Sequence, residues 1–128
     1  MKNTSYLRGV MHRFLLVALG GAVGACLRYA VVLGCTALGI SGPIGIFIIN
    51  AVGSFALGAI TGALPAGSLQ LFLAMGVCGA FTTFSTYSVQ SVGLIQSGRI
   101  GPALMYMAGS VVVCVLFAWL GIMLSSHR

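Results

Sequence analysis

The seven residues Thr82-Thr83-Phe84-Ser85-Thr86-Tyr87-Ser88 place five aliphatic hydroxyls and two aromatic rings just after a glycine-rich step at Gly76 and Gly79. They lie inside an apolar segment long enough to cross a bilayer. Lipid satisfies no hydroxyl, so these groups must face other helices or a polar path through the membrane. A glycine step followed by consecutive threonines is also where a membrane helix can break and release backbone carbonyls. Such backbone is tolerated only where it is buried in protein or lines a cavity. The stretch reads as the working part of a membrane protein that moves something small.

Beyond a break expected near residues 79–83, Thr82, Ser85 and Ser88 recur every three residues, as do Phe81, Phe84 and Tyr87. Thr83, Thr86 and Gln90 form a third row. Packing explains an aromatic row, and interhelical hydrogen bonding explains a hydroxyl row; the two together on a broken helix favour a pore. Other polar residues stand alone in apolar surroundings. Asn50 serves either as interhelical glue, worth about 1 kcal/mol, or as a donor of amide N–H groups to an anion. Spacing alone favours glue. Arg28, well inside the first apolar segment, costs about 3 kcal/mol in lipid unless it snorkels to the interface or faces a watery vestibule. Tyr106 and Ser110, four apart, share one face of the last helix.

These residues must be positioned by membrane helices. Of 128 residues, 59% are hydrophobic and 5% charged, whereas soluble domains carry about a quarter charged residues. The sequence contains no Asp or Glu, which excludes a carboxylate proton relay, a carboxylate metal site and a carboxylate acid–base pair, and no enzyme activity is expected. The net charge of +6 comes from the scattered Lys2, Arg8, Arg13, Arg28, Arg99 and Arg128. They read as flanking charges that set orientation, not as a nucleic-acid footprint. Cys26, Cys35, Cys78 and Cys114 form no metal or disulfide pattern and read as small buried apolar residues. His12 and His127 fall in polar tails and have no expected role. The basic start and apolar run resemble a signal sequence, but hydrophobicity resumes after Arg28, so a retained first helix is expected.

The whole chain, 1–128, reads as a single all-α membrane domain of four transmembrane helices at about 14–34, 44–64, 69–96 and 103–124. The turns Gly39-Ile40-Ser41-Gly42-Pro43, Pro65-Ala66-Gly67-Ser68 and Ser97-Gly98-Arg99-Ile100-Gly101-Pro102 separate the spans. The third is longer than the roughly 30 Å apolar thickness requires, which fits a break near its middle. Gly20-xxx-Gly24, Ser54-xxx-Gly58 and Gly58-xxx-Gly62 offer faces for close helix contact.

With these residues placed, the chain resembles the Fluc (CrcB-type) family of bacterial fluoride channels. The match rests on Gly20-Gly21-x-x-Gly24-x-x-x-Arg28, Asn50-x-x-Gly53, Gly79-x-x-Thr82-Thr83-Phe84-Ser85-Thr86-x-Ser88 and Gly98-Arg99. The third motif is highly specific, and the others are weak alone. The resemblance implies a multi-pass protein of the bacterial plasma membrane that passes fluoride passively out of the cytoplasm. It implies an antiparallel, dual-topology homodimer with two pores and a structural sodium ion at its centre, held by the carbonyls of Gly79 and Thr82 from both subunits. Asn50, Phe84 and Tyr87 then line each pore, with ring edges presenting their positive hydrogens to the anion. Ser85, Thr86, Ser88, Tyr106 and Ser110 supply hydroxyls, and Arg28 sits toward a vestibule.

Three positions depart from the family pattern: Tyr87 for the second Phe, Gln90 for a Glu, and Cys114 where a hydroxyl is common. The rival readings are a small multidrug-type four-helix transporter, which needs an intramembrane carboxylate this chain lacks, and a non-transporting assembly subunit. Lys2, Arg8, Arg13 and Arg128 on the terminal side against Arg99 on the other favour cytoplasmic termini. An antiparallel homodimer instead requires insertion both ways, or pairing with an oppositely oriented homologue.

Overall fold

A computed structural model describes residues 2–126, with side chains described from Tyr6 onward. Met1, His127 and Arg128 lie outside the described residues, and with them the expectations for His127 and Arg128. The described chain is helical throughout, without strands. Four stretches are long and apolar enough to cross a membrane: Tyr6–Ala37, Gly42–Ala63, Ser68–Gln96 and Ile100–Ser125. It is a multi-pass membrane protein, as the hydropathy pattern predicts.

Helix α1, Lys2–Ala37, begins well before the expected span because residues 2–13 hold no proline and carry good helix formers such as Leu7, Arg8 and Met11. At about 1.5 Å per residue its 36 residues extend about 54 Å, well beyond the apolar thickness. Helix α2, Gly42–Ala63, follows a tight turn in which Gly39 takes φ +70°, and Pro43 sits in its first turn. The third span, Ser68–Gln96, is not one helix. A short α3, Ser68–Gln70, runs into a π-helical segment, Leu71–Cys78, and a single α-turn, α4, Gly79–Phe81. Thr82 and Thr83 are extended (φ −75°, ψ 159° and φ −150°, ψ 114°), and α5, Phe84–Gln96, starts anew. Helix α6, Ile100–Ser125, completes the bundle.

Small residues set the packing. A Cβ on Gly24 would stand 2.1 Å from the Val77 carbonyl oxygen, and Gly20 lies against the backbone of Phe72 and Gly76. The Gly20-xxx-Gly24 face therefore seats the first half of the third span on α1. On the other side α2 packs chiefly on α6, where Gly58 meets the backbone of Ala118 and Gly121 meets that of Phe55. Without a hydrophobic drive between helices in lipid, such close backbone approach supplies the dispersion that holds them together. Ile46, Ile49 and Tyr87 form the buried cluster, with Val31, Val32, Phe81, Tyr106 and Met107 packed around it. The core thus lies beside the break.

Candidate functional site

The break follows from local competition for backbone hydrogen bonds. In a continuous helix the Thr83 N–H would donate to the Gly79 carbonyl, and the Thr86 N–H to that of Thr82. Here Thr83 N–H donates to Asn50 Oδ1 at 2.8 Å, while Asn50 Nδ2 donates back to the Thr83 carbonyl at 3.1 Å. The Thr86 N–H donates instead to Thr83 Oγ1 at 3.3 Å, so Thr83 is the N-cap of α5. Both diverted amides deprive the Gly79 and Thr82 carbonyls of their helical partners. Arg28 takes up one of them: its Nη1 donates to the Thr82 carbonyl at 3.3 Å.

The break falls at Thr82 and Thr83, the C-terminal edge of the expected range, because the Asn50 amide reaches Thr83 and no earlier residue of the span. Asn50 therefore holds the break open through two hydrogen bonds, and its second N–H is not used in that pairing. Thr83, only 6% exposed, is the hub of the break, a role that its place in the hydroxyl row and in the motif did not reveal. A threonine ahead of Phe-Ser-Thr is an N-cap signal that could have singled it out.

The break divides the predicted site residues between two cavities. The first, about 400 Å³, is lined by Arg28, Thr83, Ser85, Thr86 and Gln90 among others. The second, about 320 Å³, holds Asn50, Thr83, Phe84, Tyr87, Ser110 and Cys114. Ser88 and Tyr106 line neither. Ser88 Oγ donates to the Phe84 carbonyl of its own helix at 2.9 Å, and Tyr106 O–H donates to Gln90 Oε1 at 2.9 Å. Gln90 Nε2 is thereby turned toward Gly42, on the wall of the first cavity.

In the second cavity the Ser110 hydroxyl is buried and has no hydrogen-bond partner among the described residues. A buried orphan hydroxyl costs about 1–3 kcal/mol unless a guest pairs with it. The rings of Phe84, Tyr87 and Tyr106 form a ladder with centroids 5.3 Å apart at each step and planes tilted by 38° and 47°. Tyr87 O–H donates to the Met107 carbonyl at 3.1 Å, so the extra hydroxyl at this position staples α5 to α6. Phe84, by contrast, is 76% exposed on the outside of the single chain, and Gly79 is exposed as well. Among the described residues no group of three His or Cys side chains gathers as a metal site.

Four apolar spans, one of them interrupted, with a cavity on each flank of the interruption, define a small membrane protein built to hold polar groups at bilayer depth. The family model described as CrcB-like protein, Camphor Resistance (CrcB), matches residues 15–122, and the chain belongs to that family. A "Fluoride-specific ion channel FluC" of Thermus thermophilus is 46% identical over 119 residues, which cover 87% of this chain and 93% of that protein. "Fluoride-specific ion channel FluC 2" of Nitrobacter hamburgensis is 41% identical over 89% of this chain and 97% of its own length. A protein of the same name as the first, from Idiomarina loihiensis, is 35% identical over 94% of this chain and 97% of its own length.

Proposed function

We propose that the chain is a passive, selective fluoride channel that works as an antiparallel homodimer with two pores and lets fluoride leave the cytoplasm. The observation that carries the reading is the orphan Ser110 hydroxyl, in a cavity shared with the Asn50 amide and the rings of Phe84 and Tyr87. Fluoride is small and strongly hydrated, so a pore must replace its water with donors. Ser110 offers an O–H, Asn50 its second N–H, and the ring edges offer partly positive hydrogens. The chain has no Asp or Glu side chain to repel an anion. Tyr87 contributes only its ring to this path, because its hydroxyl is engaged by Met107.

Pairing of two inverted copies is supported by the residues that one chain leaves outside. The Phe84 ring and Gly79 face outward, and the hydroxyls of Ser85 and Thr86 lie on the opposite flank of the break from Ser110. A second copy, inverted, brings the two halves of the polar path together and covers the exposed ring. Arg28 and Gln90 Nε2 in the first cavity then draw the anion toward the entrance.

The proposed sodium ion fits the donor chemistry. The carbonyls of Gly79 and Thr82 have lost their helical partners, and neutral oxygens suit a hard cation. These oxygens, from both copies, would hold the ion, and its charge would tie the two breaks together. Arg28 occupies one lone pair of the Thr82 carbonyl, and the second is left for the ion.

Efflux from liposomes tests the function. Purified protein should release fluoride rapidly, chloride far more slowly and a lipophilic cation not at all. Cation release in exchange for protons would favour a multidrug-type transporter, and no release of any ion would favour an assembly subunit.

A further inference from the structure

A third cavity, about 370 Å³, is formed by Arg13 of α1, by Ala66, Gly67 and Ser68 of the α2–α3 connection, and by Gln70 and Leu71. Arg13 precedes Arg28 by fifteen residues on the same helix, about 22 Å along its axis. With Arg28 bonded to the break near mid-membrane, Arg13 stands about 7 Å beyond a hydrocarbon half-thickness of about 15 Å. That is the depth of lipid headgroups. The same depth follows from its neighbours, since the connection between two spans must lie at the membrane surface.

The chemistry of the cavity is cationic and unopposed. Arg13 brings a planar fork of donors that matches phosphate oxygens, and Ser68 adds a hydroxyl. The chain has no carboxylate side chain to neutralise the guanidinium. Phe14, next to it on α1, is apolar and 69% exposed, and Leu71 lines the cavity itself. A soluble anion has no use for that apolar rim, whereas the glycerol and acyl portions of a lipid lie along it. We propose that this cavity seats the phosphodiester of an anionic glycerophospholipid, with Arg13 on the phosphate.

Native mass spectrometry of the full-length protein, released from micelles doped with equal phosphatidylglycerol and phosphatidylcholine, tests the assignment. Phosphatidylglycerol should be retained in preference. Arg13→Gln should reduce its retention about fivefold, the weight of one basic residue at an anionic surface. Arg13→Lys should keep most of it, and Arg99→Gln, at the opposite end of the bundle, should leave it unchanged. Fluoride efflux should be the same in all three variants, which also reports that they fold. Equal retention of the two lipids, unaltered retention in Arg13→Gln, or an equal loss in Arg99→Gln overturns the proposal. Displacement of the lipid by excess inorganic phosphate overturns it too, in favour of a simple anion site.

Discussion

Replacing Asn50 probes the break directly. In Asn50→Ala the Thr83 N–H, 6% exposed with its residue, loses its acceptor and carries the full cost of an unpaired buried donor, about 1–3 kcal/mol. The Thr83 carbonyl keeps its place in the first turn of α5 and loses only the net value of one bond, about 1 kcal/mol. The sum, about 2–4 kcal/mol, leaves the chain two responses. Either the protein melts earlier, or the Thr83 amide returns to the Gly79 carbonyl and the helix closes over the break. Fluoride efflux from liposomes should be lost in both cases.

Asn50→Asp separates geometry from charge. A neutral carboxylic acid can accept from the Thr83 N–H and donate to its carbonyl, while an ionised one turns a negative charge on that carbonyl and on the anion. Efflux by Asn50→Asp, corrected for protein-free liposomes at each pH, should therefore persist at low pH and fall as pH rises. Full flux and an unchanged melting temperature in Asn50→Ala would refute the role given to the clamp.

Phe84→Ile should abolish efflux while size-exclusion elution of the assembly stays unchanged, because the exposed ring contributes an edge to the anion and little to the core of its own chain. Tyr87→Phe should keep flux and lower thermal stability by about 1 kcal/mol, the net worth of the hydrogen bond to Met107. Gly24→Val should prevent accumulation of folded protein, since even a Cβ there would press on the Val77 carbonyl at 2.1 Å; expression followed by detergent-resistant elution reads this out. A cysteine at position 3 of a cysteine-free variant should label in about half the chains when intact cells meet an impermeant reagent, as dual insertion requires. Labelling near zero in a protein that still conducts would indicate an oppositely oriented partner.

The four spans were legible because each apolar run is bounded by Gly, Pro or Ser turns, and their observed limits differ from the expected ones mainly at the N-terminus. There the polar tail continues the helix, since charge alone does not end one. The break was legible from glycine followed by two threonines, and it falls within the expected residues 79–83, but which of them open was not legible. That depends on Asn50, 33 residues away, reaching Thr83. The same contact shows how glue and site coincide, for the amide that spacing favoured as interhelical glue also frames the second cavity. The rows at three-residue spacing misled in one respect. They presuppose a continuous helix, whereas Phe81 precedes the break and packs on Gly53, apart from the ladder of Phe84 and Tyr87. The π-helical segment Leu71–Cys78 left no mark in the sequence. Its apolar residues fit an α-helix equally well, and in the fold the segment packs against the glycine face of α1.

The central claim, a pore through which fluoride alone passes, is tested most directly by the reversal potential of currents through purified protein in a planar bilayer. Fluoride, chloride and sodium gradients should be varied independently. The account predicts reversal at the fluoride equilibrium potential whatever the chloride or sodium gradient, with sodium a fixed part of the structure. A reversal potential that follows sodium or chloride would contradict it.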